Sequence, residues 1–285
     1  LPVFTSNFVM YYNKDIFDRF GEQYLRDGMT WDEMVEVAKR LTRNVDGQQY
    51  FGYTHSPAHT LRLDPMSIPK ADANGMPTIA TDPRWRTFYD TYFFRPTDVD
   101  GYREYLRDVG VLNINDFVKE QNVAIYMYQS SLIYVWEEEM KNVNFDWAAV
   151  PVTEEGYGTQ SYPAYFGITK LARNKEAAME VLSYMVSDEF QMELSRKAIM
   201  PVVQTEEVLA AFGADSPYSD KNLAAAYYNK FAPIPVMSPY DASLVNIYNA
   251  KMLSALRGEK DINTALREAE EEAILMIEEF KKNNE

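Results

Sequence analysis

The chain has 285 residues, 46% apolar and 14% aromatic, which is enough for two lobes or one large domain with a sizeable core. Its 28 Lys and Arg residues against 43 Asp and Glu residues give a net charge of −15, which repels a phosphate backbone and argues against nucleic acid as a partner. The lack of Cys excludes disulfides, thiolate zinc sites and cysteine nucleophiles, and no stretch approaches the roughly 18 consecutive apolar residues of a membrane-spanning helix.

The first part of the chain places a β-prone run before two helix signals. Residues 8–12 are apolar and β-prone, and a polar stop separates them from a helix-like run at 16–20. Thr30 and Glu33 have the spacing of a capping box, in which the Thr hydroxyl accepts a first-turn N–H and the Glu carboxylate reaches back to the cap. Apolar residues then recur on one face, so the sequence predicts a helix from about 31 to 42.

A pair of histidines and another helix start follow. His55 and His59 have the i, i+4 spacing of a zinc helix, but Pro57 lies between them and no Glu follows the first, so we predict a surface loop without metal. Asp82 and Pro83 predict a helix start, because Asp caps while Pro at the first helical position loses no needed hydrogen bond. The aromatic face of that helix is predicted to be core, with Trp85, Phe88, Tyr89 and Tyr92.

The middle of the chain predicts strands, a helix and a crossing loop. Strands are expected at 123–128 and 145–151, with a helix at 132–141 between them. A loop rich in Gly, Tyr and Ser at 156–163 then runs into a strand at 165–169. This arrangement suits a crossing between two domains.

The last third of the sequence predicts helices with apolar faces. Asn174 and Ser187 are helix-start signals. The helix after Asn174 is expected to bury Ala178, Val181, Leu182 and Met185. The final helix carries one apolar stripe, formed by Ile262, Leu266, Ala269, Ala273, Ile277 and Phe280. Because strands and helices are interspersed, the sequence predicts the α/β class with helix-covered sheets.

Seven short motifs stand out by their order and spacing. They are Tyr11-Tyr-Asn-Lys-Asp-Ile-Phe17, Gly28-Met-Thr-Trp-Asp-Glu-Met34 and Ala38-Lys-Arg-Leu-Thr42, followed later by Asp146-Trp-Ala-Ala-Val-Pro151, Gly167-Ile-Thr-Lys170, Asn174-Lys-Glu-Ala-Ala178 and Leu256-Arg-Gly-Glu259. In that order they resemble motifs of sugar-type bacterial extracellular solute-binding proteins. The resemblance covers nearly the whole chain, and its strongest part is the succession of the first three segments.

The resemblance implies a periplasmic-binding-protein-like fold, in which two α/β lobes joined by a hinge close on a ligand. It implies that Leu1 lies partway along the mature protein, so that the first lobe is largely missing from this chain and a lipoprotein signal lies upstream. Residues 1–165 and 216–285 are then expected to form the second, C-terminal lobe. Residues 166–215 are expected to return to the first, N-terminal lobe.

The function implied by the resemblance is that of the extracellular carbohydrate-binding subunit of an ABC importer. Such a subunit captures an oligosaccharide or sugar derivative and delivers it to the permease subunits in the membrane. We expect a lipid-anchored or periplasmic protein, monomeric at full length, without catalytic residues, cofactor or metal. Two alternatives stay open: a glycan-active enzyme, which needs two carboxyls about 5 to 10 Å apart across its cleft, and a sensor or scaffold protein.

Candidate ligand contacts come from the aromatic residues that the resemblance places at the cleft. Sugar recognition needs flat aromatic faces and planar polar groups, and tyrosine supplies both. The candidates are Tyr12 on the first apolar strand, Tyr128 and Ser130 at a strand end, Tyr162 and Tyr165 around the crossing loop, and Tyr240 with Asp241 at a helix start. Their structural alternatives are core packing, a rigid aromatic linker and an ordinary helix start. The Trp common in the family near Tyr128 is absent, which leaves the sugar class open.

Overall fold

The computed structural model describes residues 1–284, in which strands and helices interleave along the chain. The strands are β1 Pro2–Thr5, β2 Phe8–Asn13, β3 Arg43–Val45, β4 Gln48–Tyr50, β5 Thr54–His55, β6 Ile125–Gln129, β7 Phe145–Ala149, β8 Ala164–Tyr165 and β9 Met200–Pro201. The helices are α1 Lys14–Phe20, α2 Trp31–Leu41, α3 Pro57–Arg62, α4 Arg84–Tyr89, α5 Tyr102–Asp108, α6 Ile114–Val118, α7 Leu132–Val135, α8 Glu137–Met140, α9 Lys175–Met185, α10 Asp188–Arg196, α11 Glu206–Ala210, α12 Ala225–Tyr228, α13 Asp241–Leu256 and α14 Ile262–Asn284. The predicted α/β class is confirmed.

The larger sheet is built around β2. Its strand order is β5-β6-β2-β7, with β2 antiparallel to both β6 and β7, and β5 parallel to β6. All six residues of β2 are buried, because the strand is central and has neighbours on both edges and both faces. Tyr11 lies opposite Tyr126 on one side and Trp147 on the other, which fixes the register at an aromatic centre.

A smaller sheet has the order β8-β1-β9 and is separated from the larger one by a short crossing. Only Ser6 and Asn7 connect β1 to β2. The Ser6 N–H donates to the Tyr162 carbonyl at 3.3 Å, and the Tyr162 N–H donates to the Ser6 carbonyl at 2.7 Å. Two chain segments therefore run side by side from one sheet to the other.

Strand pairing in the smaller sheet can be compared with the predicted lobe boundaries. Its β8 and β9 come from the two ends of the region around α9 and α10, and β1 pairs with both. Strand pairing thus groups residues 2–5 with this region rather than with the larger sheet. The assignment of 166–215 to another lobe stays a prediction.

The predicted helix starts are confirmed where a capping side chain sets them. Thr30 and Glu33 form both hydrogen bonds of the capping box, and α2 runs from Trp31 to Leu41. The side chains of Asn174 and Ser187 each accept a backbone N–H three residues on, at the starts of α9 and α10. Local hydrogen bonding alone specifies these positions.

Other expectations about helices were wrong in part. The predicted helix at 132–141 is broken at Trp136, whose ψ of 41° leaves the helical region, and it forms α7 and α8. Val181 was expected to be buried, but its side chain is 59% exposed, since α9 buries only Leu182. The strand predicted at 165–169 ends at Tyr165.

The aromatic face of α4 forms part of the core, as predicted. Trp85 is fully buried, lies edge-on to Tyr248 with ring centroids 5.5 Å apart, and donates from Nε1 to Thr78 Oγ1 at 3.0 Å. The helix begins one residue later than predicted, and Asp82 accepts a hydrogen bond from its first N–H. Along α14, the stripe from Leu266 to Ile277 is buried against α13. No helix within residues 1–284 combines the length and the apolar character needed to cross a membrane.

The histidines do not lie in a surface loop, which corrects the prediction from sequence. His55 ends β5 and is buried, with its ring 4.4 Å from that of Phe93 and its Nδ1 3.1 Å from Thr60 Oγ1. His59 lies on α3, half-buried, with Nδ1 2.7 Å from Ser56 Oγ. Pro57 does not prevent this helix, because proline is tolerated in a first helical turn. Burial lowers the pKa of His55 to about 3.

Replacing Gly52 by Ala is expected to destabilise the fold strongly. A Cβ at this position would lie 1.7 Å from the carbonyl oxygen of Ala38 in α2, and a backbone atom cannot move aside cheaply. We expect Gly52→Ala to lower the free energy of unfolding by about 3 kcal/mol or more in urea denaturation. Gly167→Ala is the matched control, because nothing lies within 4 Å of its added Cβ. Equal stability of the two variants would contradict the close contact.

The stability of the protein is expected to fall with acid in a way that depends on His55. Below the ordinary His pKa of 6.5 the unfolded chain binds a proton that the folded chain excludes until about pH 3, so unfolding becomes easier as pH drops. Between pH 6.5 and 5, urea denaturation should show the wild type losing about 2 kcal/mol more than His55→Asn. His59→Asn should lose nearly as much stability as the wild type over the same pH range. An identical loss in wild type and His55→Asn would rule out His55 as its source.

Candidate functional site

A cavity of about 520 Å³ lies where the chain crosses between the two sheets. One wall comes from the end of α3 and the loop after it, and a second from the crossing segment 160–163. The third is an apolar strap at 233–239, which we call the Pro-rich strap, and the fourth is the first turn of α13. The lining side chains include Arg62, Lys70, Gln160, Tyr162, Tyr165, Ile234, Met237, Asp241 and Val245.

A buried ion pair forms the polar side of this cavity. Lys70 is 4% exposed and Asp64 is fully buried, and Lys70 Nζ lies 3.7 Å from Asp64 Oδ2. The loop after α3 wraps around the carboxylate, so that Oδ1 accepts the Met66 N–H at 2.8 Å and Oδ2 the Ile68 N–H at 2.6 Å. Burial raises the pKa of Asp64 and lowers that of Lys70, and in each case the opposite charge of the partner counteracts the shift.

Asp241 supplies a carboxylate from the opposite wall. It is the first residue of α13, where a negative charge interacts favourably with the helix dipole. Its Oδ1 accepts hydrogen bonds from both the backbone N–H and the hydroxyl of Ser238 in the Pro-rich strap. Within residues 1–284 these bonds go to Oδ1, which leaves Oδ2 for another donor.

The crossing segment is fastened to the floor of the cavity. Gln160 is buried, and its side-chain amide donates to the Asp64 carbonyl at 2.8 Å while its backbone N–H donates to the Leu63 carbonyl at 3.2 Å. Further along, Tyr162 and Tyr165 are 43% and 71% exposed. The cavity thus combines a fixed polar floor with two accessible aromatic rings.

Three of the seven residues predicted from sequence line this cavity, namely Tyr162, Tyr165 and Asp241. Tyr128 lies beside the wall formed by α3, where its ring meets the edge of His59 at 5.4 Å. The Tyr128 ring also stacks on Tyr126 at 5.2 Å, and burial, together with the nearby Tyr162, raises the pKa of Tyr128. The structure therefore brings four predicted residues to one region.

The other three predicted residues are placed elsewhere. Ser130 is buried beneath the crossing, with Oγ 3.2 Å from Met200 Sδ of the smaller sheet. Tyr240 turns away from the cavity and lies edge-on to Phe280 at 5.1 Å. Tyr12 is buried four residues along β2 from Phe8, or about 13 Å from the crossing. Tyr12 packs as a core side chain, and the half-buried Tyr240 directly precedes α13, so each has the position that its structural alternative predicts.

Sequence reasoning missed the residues that supply the polar groups, Arg62, Lys70 and Gln160. Lys70 and Asp241 are 171 positions apart, and nothing in the local pattern around either indicates that they share a cavity. A signal was present in the loop after α3, where an Asp-Pro start and a Ser-Ile-Pro-Lys continuation make a tight turn around one carboxylate. Among residues 1–284, no group of three or more His, Asp or Glu side chains is arranged to hold a metal ion.

A larger cavity, about 700 Å³, lies beside the start of α2 and carries more charge. Two of its arginines already have carboxylate partners, Arg84 with Asp82 and Arg95 with Asp32. None of the residues predicted from sequence lines it. The cavity at the crossing is therefore the candidate site.

Known proteins similar to this chain were found by sequence and by structure. Two of the curated relatives, binding proteins of Brucella abortus and Brucella suis, are each 21% identical over 294 residues, covering 97% of this chain and 67% of theirs. The crystal structure of a sugar transporter from Rhizobium etli in an open conformation has a TM-score of 0.72 at 18% identity, covering 96% of this chain and 71% of its own. An ABC substrate-binding protein from Listeria monocytogenes in complex with cycloalternan also has a TM-score of 0.72, at 17% identity, covering 97% and 71%.

These structures share the fold of this chain, and so confirm the predicted periplasmic-binding-protein-like architecture. A third, a solute-binding protein from Agrobacterium vitis with bound D-mannitol, has a TM-score of 0.65 at 15% identity, covering 98% of this chain and 72% of its own. The sequence model described as "Bacterial extracellular solute-binding protein" matches residues 1–192. Because this match spans more than half of the chain, the chain belongs to the bacterial extracellular solute-binding proteins.

Proposed function

We propose that the chain captures a carbohydrate in the cavity at the crossing, as the binding subunit of an ABC importer that delivers an oligosaccharide or sugar derivative to membrane permease subunits. The observation that carries the proposal is the juxtaposition of exposed tyrosine rings with buried, fixed polar groups in one cavity. Proteins of the same fold hold cycloalternan, D-mannitol and mannotriose, which supports a sugar as the solute.

The chemistry of the cavity suits hydroxyl groups. A sugar hydroxyl both donates and accepts hydrogen bonds. Lys70 and Arg62 offer only donors, whereas Asp241 offers an acceptor, so one pyranose can satisfy both walls. The rings of Tyr162 and Tyr165 offer flat apolar faces for the C–H side of the sugar. At about 520 Å³, the cavity is within the usual range of about 300 to 1,000 Å³ for small-molecule sites.

Two lobes are part of this proposal, with the smaller sheet and residues 166–215 in one and the larger sheet in the other. Several apolar side chains are exposed on the side of the smaller sheet, which supports the proposal that further protein or the ligand packs against this face. They are Tyr165, Phe166, Leu171, Met179, Val181 and Tyr184. We place the protein outside the cell, anchored by a lipid or free in the periplasm, and monomeric at full length. The family, whose members are extracellular, supports that location.

The glycan-active enzyme is the alternative that the site supports least. A glycosidase needs two carboxyls across the cleft. Asp241 is the one carboxylate that lines the cavity within residues 1–284, and both oxygens of Asp64 already accept backbone N–H groups. Capture without bond cleavage is the function that this arrangement favours.

Saccharide binding can be measured directly on the full-length protein. We expect one member of a panel of mono- and oligosaccharides, including mannotriose, D-mannitol and cycloalternan, to raise the melting temperature, since ligand at 100 times its Kd stabilises by about 2.7 kcal/mol. Chromatography of the same mixture should show the sugar unchanged. Release of a shorter product would favour the enzyme, and no shift across the panel would favour a different solute or a scaffold role.

Removing one aromatic ring from the cavity is expected to weaken binding of the sugar found in that panel. We expect Tyr162→Ala to raise Kd up to about tenfold in isothermal titration, because stacking of an aromatic ring contributes roughly 0.5 to 1.5 kcal/mol. Tyr24→Ala is the control, because Tyr24 is equally exposed, at 41% against 43%, and contacts Tyr12 at the far end of β2. If both variants bind like the wild type, Tyr162 does not contact the ligand.

A further inference from the structure

Lys70 is a charged side chain held rigidly at the wall of the cavity. Its backbone carbonyl accepts hydrogen bonds from the Thr78 N–H at 3.1 Å and the Tyr248 hydroxyl at 2.8 Å. Its Nζ lies 5.7 Å from the centre of the Trp85 ring, which is itself fully buried. The side chain therefore has little freedom to reach bulk water.

The ammonium group of Lys70 has fewer acceptors than it has protons. An ammonium carries three N–H donors, and buried charged groups normally have all of their hydrogen bonds satisfied. Within residues 1–284, Nζ donates to the Ile68 carbonyl at 3.2 Å and forms an ion pair with Asp64 Oδ2 at 3.7 Å, and the charge of Asp241 also favours the ammonium form. A nearly buried cation with three N–H donors thus has one short hydrogen bond and one long ion pair, which leaves donor capacity for a ligand oxygen.

The Asp64 carboxylate is held at its distance from the Lys70 ammonium by other hydrogen bonds. Its two oxygens are held by the N–H groups of Met66 and Ile68, and its own carbonyl accepts from Gln160 in the crossing segment. The carboxylate therefore balances the charge of Lys70 at a fixed distance without completing its hydrogen bonds. Lys70 lines the cavity, so a ligand there can reach its side chain.

We propose that Lys70 is a ligand-binding residue, whose remaining N–H donors bond oxygen atoms of the bound sugar, with Asp64 as the counter-ion that balances its charge. This inference rests on the proposed function, because it assigns the ligand oxygen atoms to a carbohydrate. Asp241 at the start of α13 accepts a hydrogen bond from a hydroxyl of the same sugar, so that the ligand both accepts and donates hydrogen bonds in the cavity. The site then selects ligands with acceptor oxygens facing Lys70 and a hydroxyl facing Asp241.

The test includes a variant in which both buried charges are removed together. Lys70→Met alone leaves the Asp64 carboxylate buried without its cation, which can prevent folding. The Asp64→Asn/Lys70→Met double variant removes both charges, whereas Asp64→Asn alone removes the counter-ion, keeps the ammonium and is expected to lower stability. Lys119→Met is the control, because Lys119 directly follows α6, is exposed and does not line the cavity.

Isothermal titration with the sugar that gives the largest thermal shift to the wild type supplies the measurement, with melting temperature recorded in parallel. We expect the double variant to bind about tenfold or more weakly than Asp64→Asn, because hydrogen bonds to charged groups are the stronger ones. Asp64→Asn should bind within a few-fold of the wild type despite a lower melting temperature, and Lys119→Met should match the wild type in both.

The possible outcomes separate the inference from the function on which it rests. A lower melting temperature with equal Kd in the double variant and Asp64→Asn would show that Lys70 only supports the fold, and would overturn the inference while leaving carbohydrate binding intact. A wild type that binds no saccharide in the panel would overturn both. Loss of affinity in the double variant, without such a loss in Asp64→Asn, would establish Lys70 as the ligand-binding cation.

Discussion

The paired backbone segments at Ser6 and Tyr162 are the constraint from which the candidate site follows. Two reciprocal hydrogen bonds hold the segments side by side where each leaves one sheet for the other. Because only two residues separate β1 from β2, the two sheets must lie close together at this point. Gln160, two residues before Tyr162, then ties the same crossing to the loop around Asp64. The cavity is the space left beside this junction.

Placing charged groups at such a junction is costly, and the structure shows how the cost is limited. Asp64 receives two backbone N–H groups and a nearby ammonium, so its charge is compensated even though it is fully buried. The Lys70 ammonium is compensated less completely, with one carbonyl acceptor and an aromatic ring. A charged group whose charge is balanced but whose hydrogen bonds are incomplete is stabilised most by a ligand oxygen atom that accepts one. An apolar ligand would leave the remaining N–H donors of Lys70 unsatisfied, so such a cation favours polar ligands.

The sequence predicted those features that depend on neighbouring residues. Capping at Thr30, Asn174 and Ser187 was predictable because the side chain bonds a backbone N–H three residues on. The apolar stripe of α14 was predictable because helical periodicity alone defines it. Burial of Val181 was not, because α9 has a protein neighbour along only part of its apolar face.

The candidate site was predictable only in part, and for a different reason. Tyr162, Tyr165 and Asp241 were found through resemblance to a family, whereas Lys70 and Gln160 gave no local signal. Their positions depend on contacts between residues far apart in sequence, such as Gln160 with Asp64 and Tyr248 with Lys70. Tyr12 has the residue type of a sugar contact, but its place on the central strand buries it. Residue type alone does not distinguish core from cleft.

The residues that line the cavity come from both sides of the crossing between the two sheets. Tyr165 belongs to the smaller sheet, whereas Lys70 and Asp241 are fixed to elements packed on the larger one. A ligand shifts an equilibrium between open and closed forms only by the difference in its affinity for them. Under the proposed division into two lobes, Lys70 and Asp241 lie on one side of the crossing, so contacts with these two residues alone would be the same in an open and a closed form. Only a ligand that also reaches Tyr165 and the surface beside it would gain contacts on closure. In this proposal, ligand size measured from the polar wall toward β8 decides whether binding is coupled to closure.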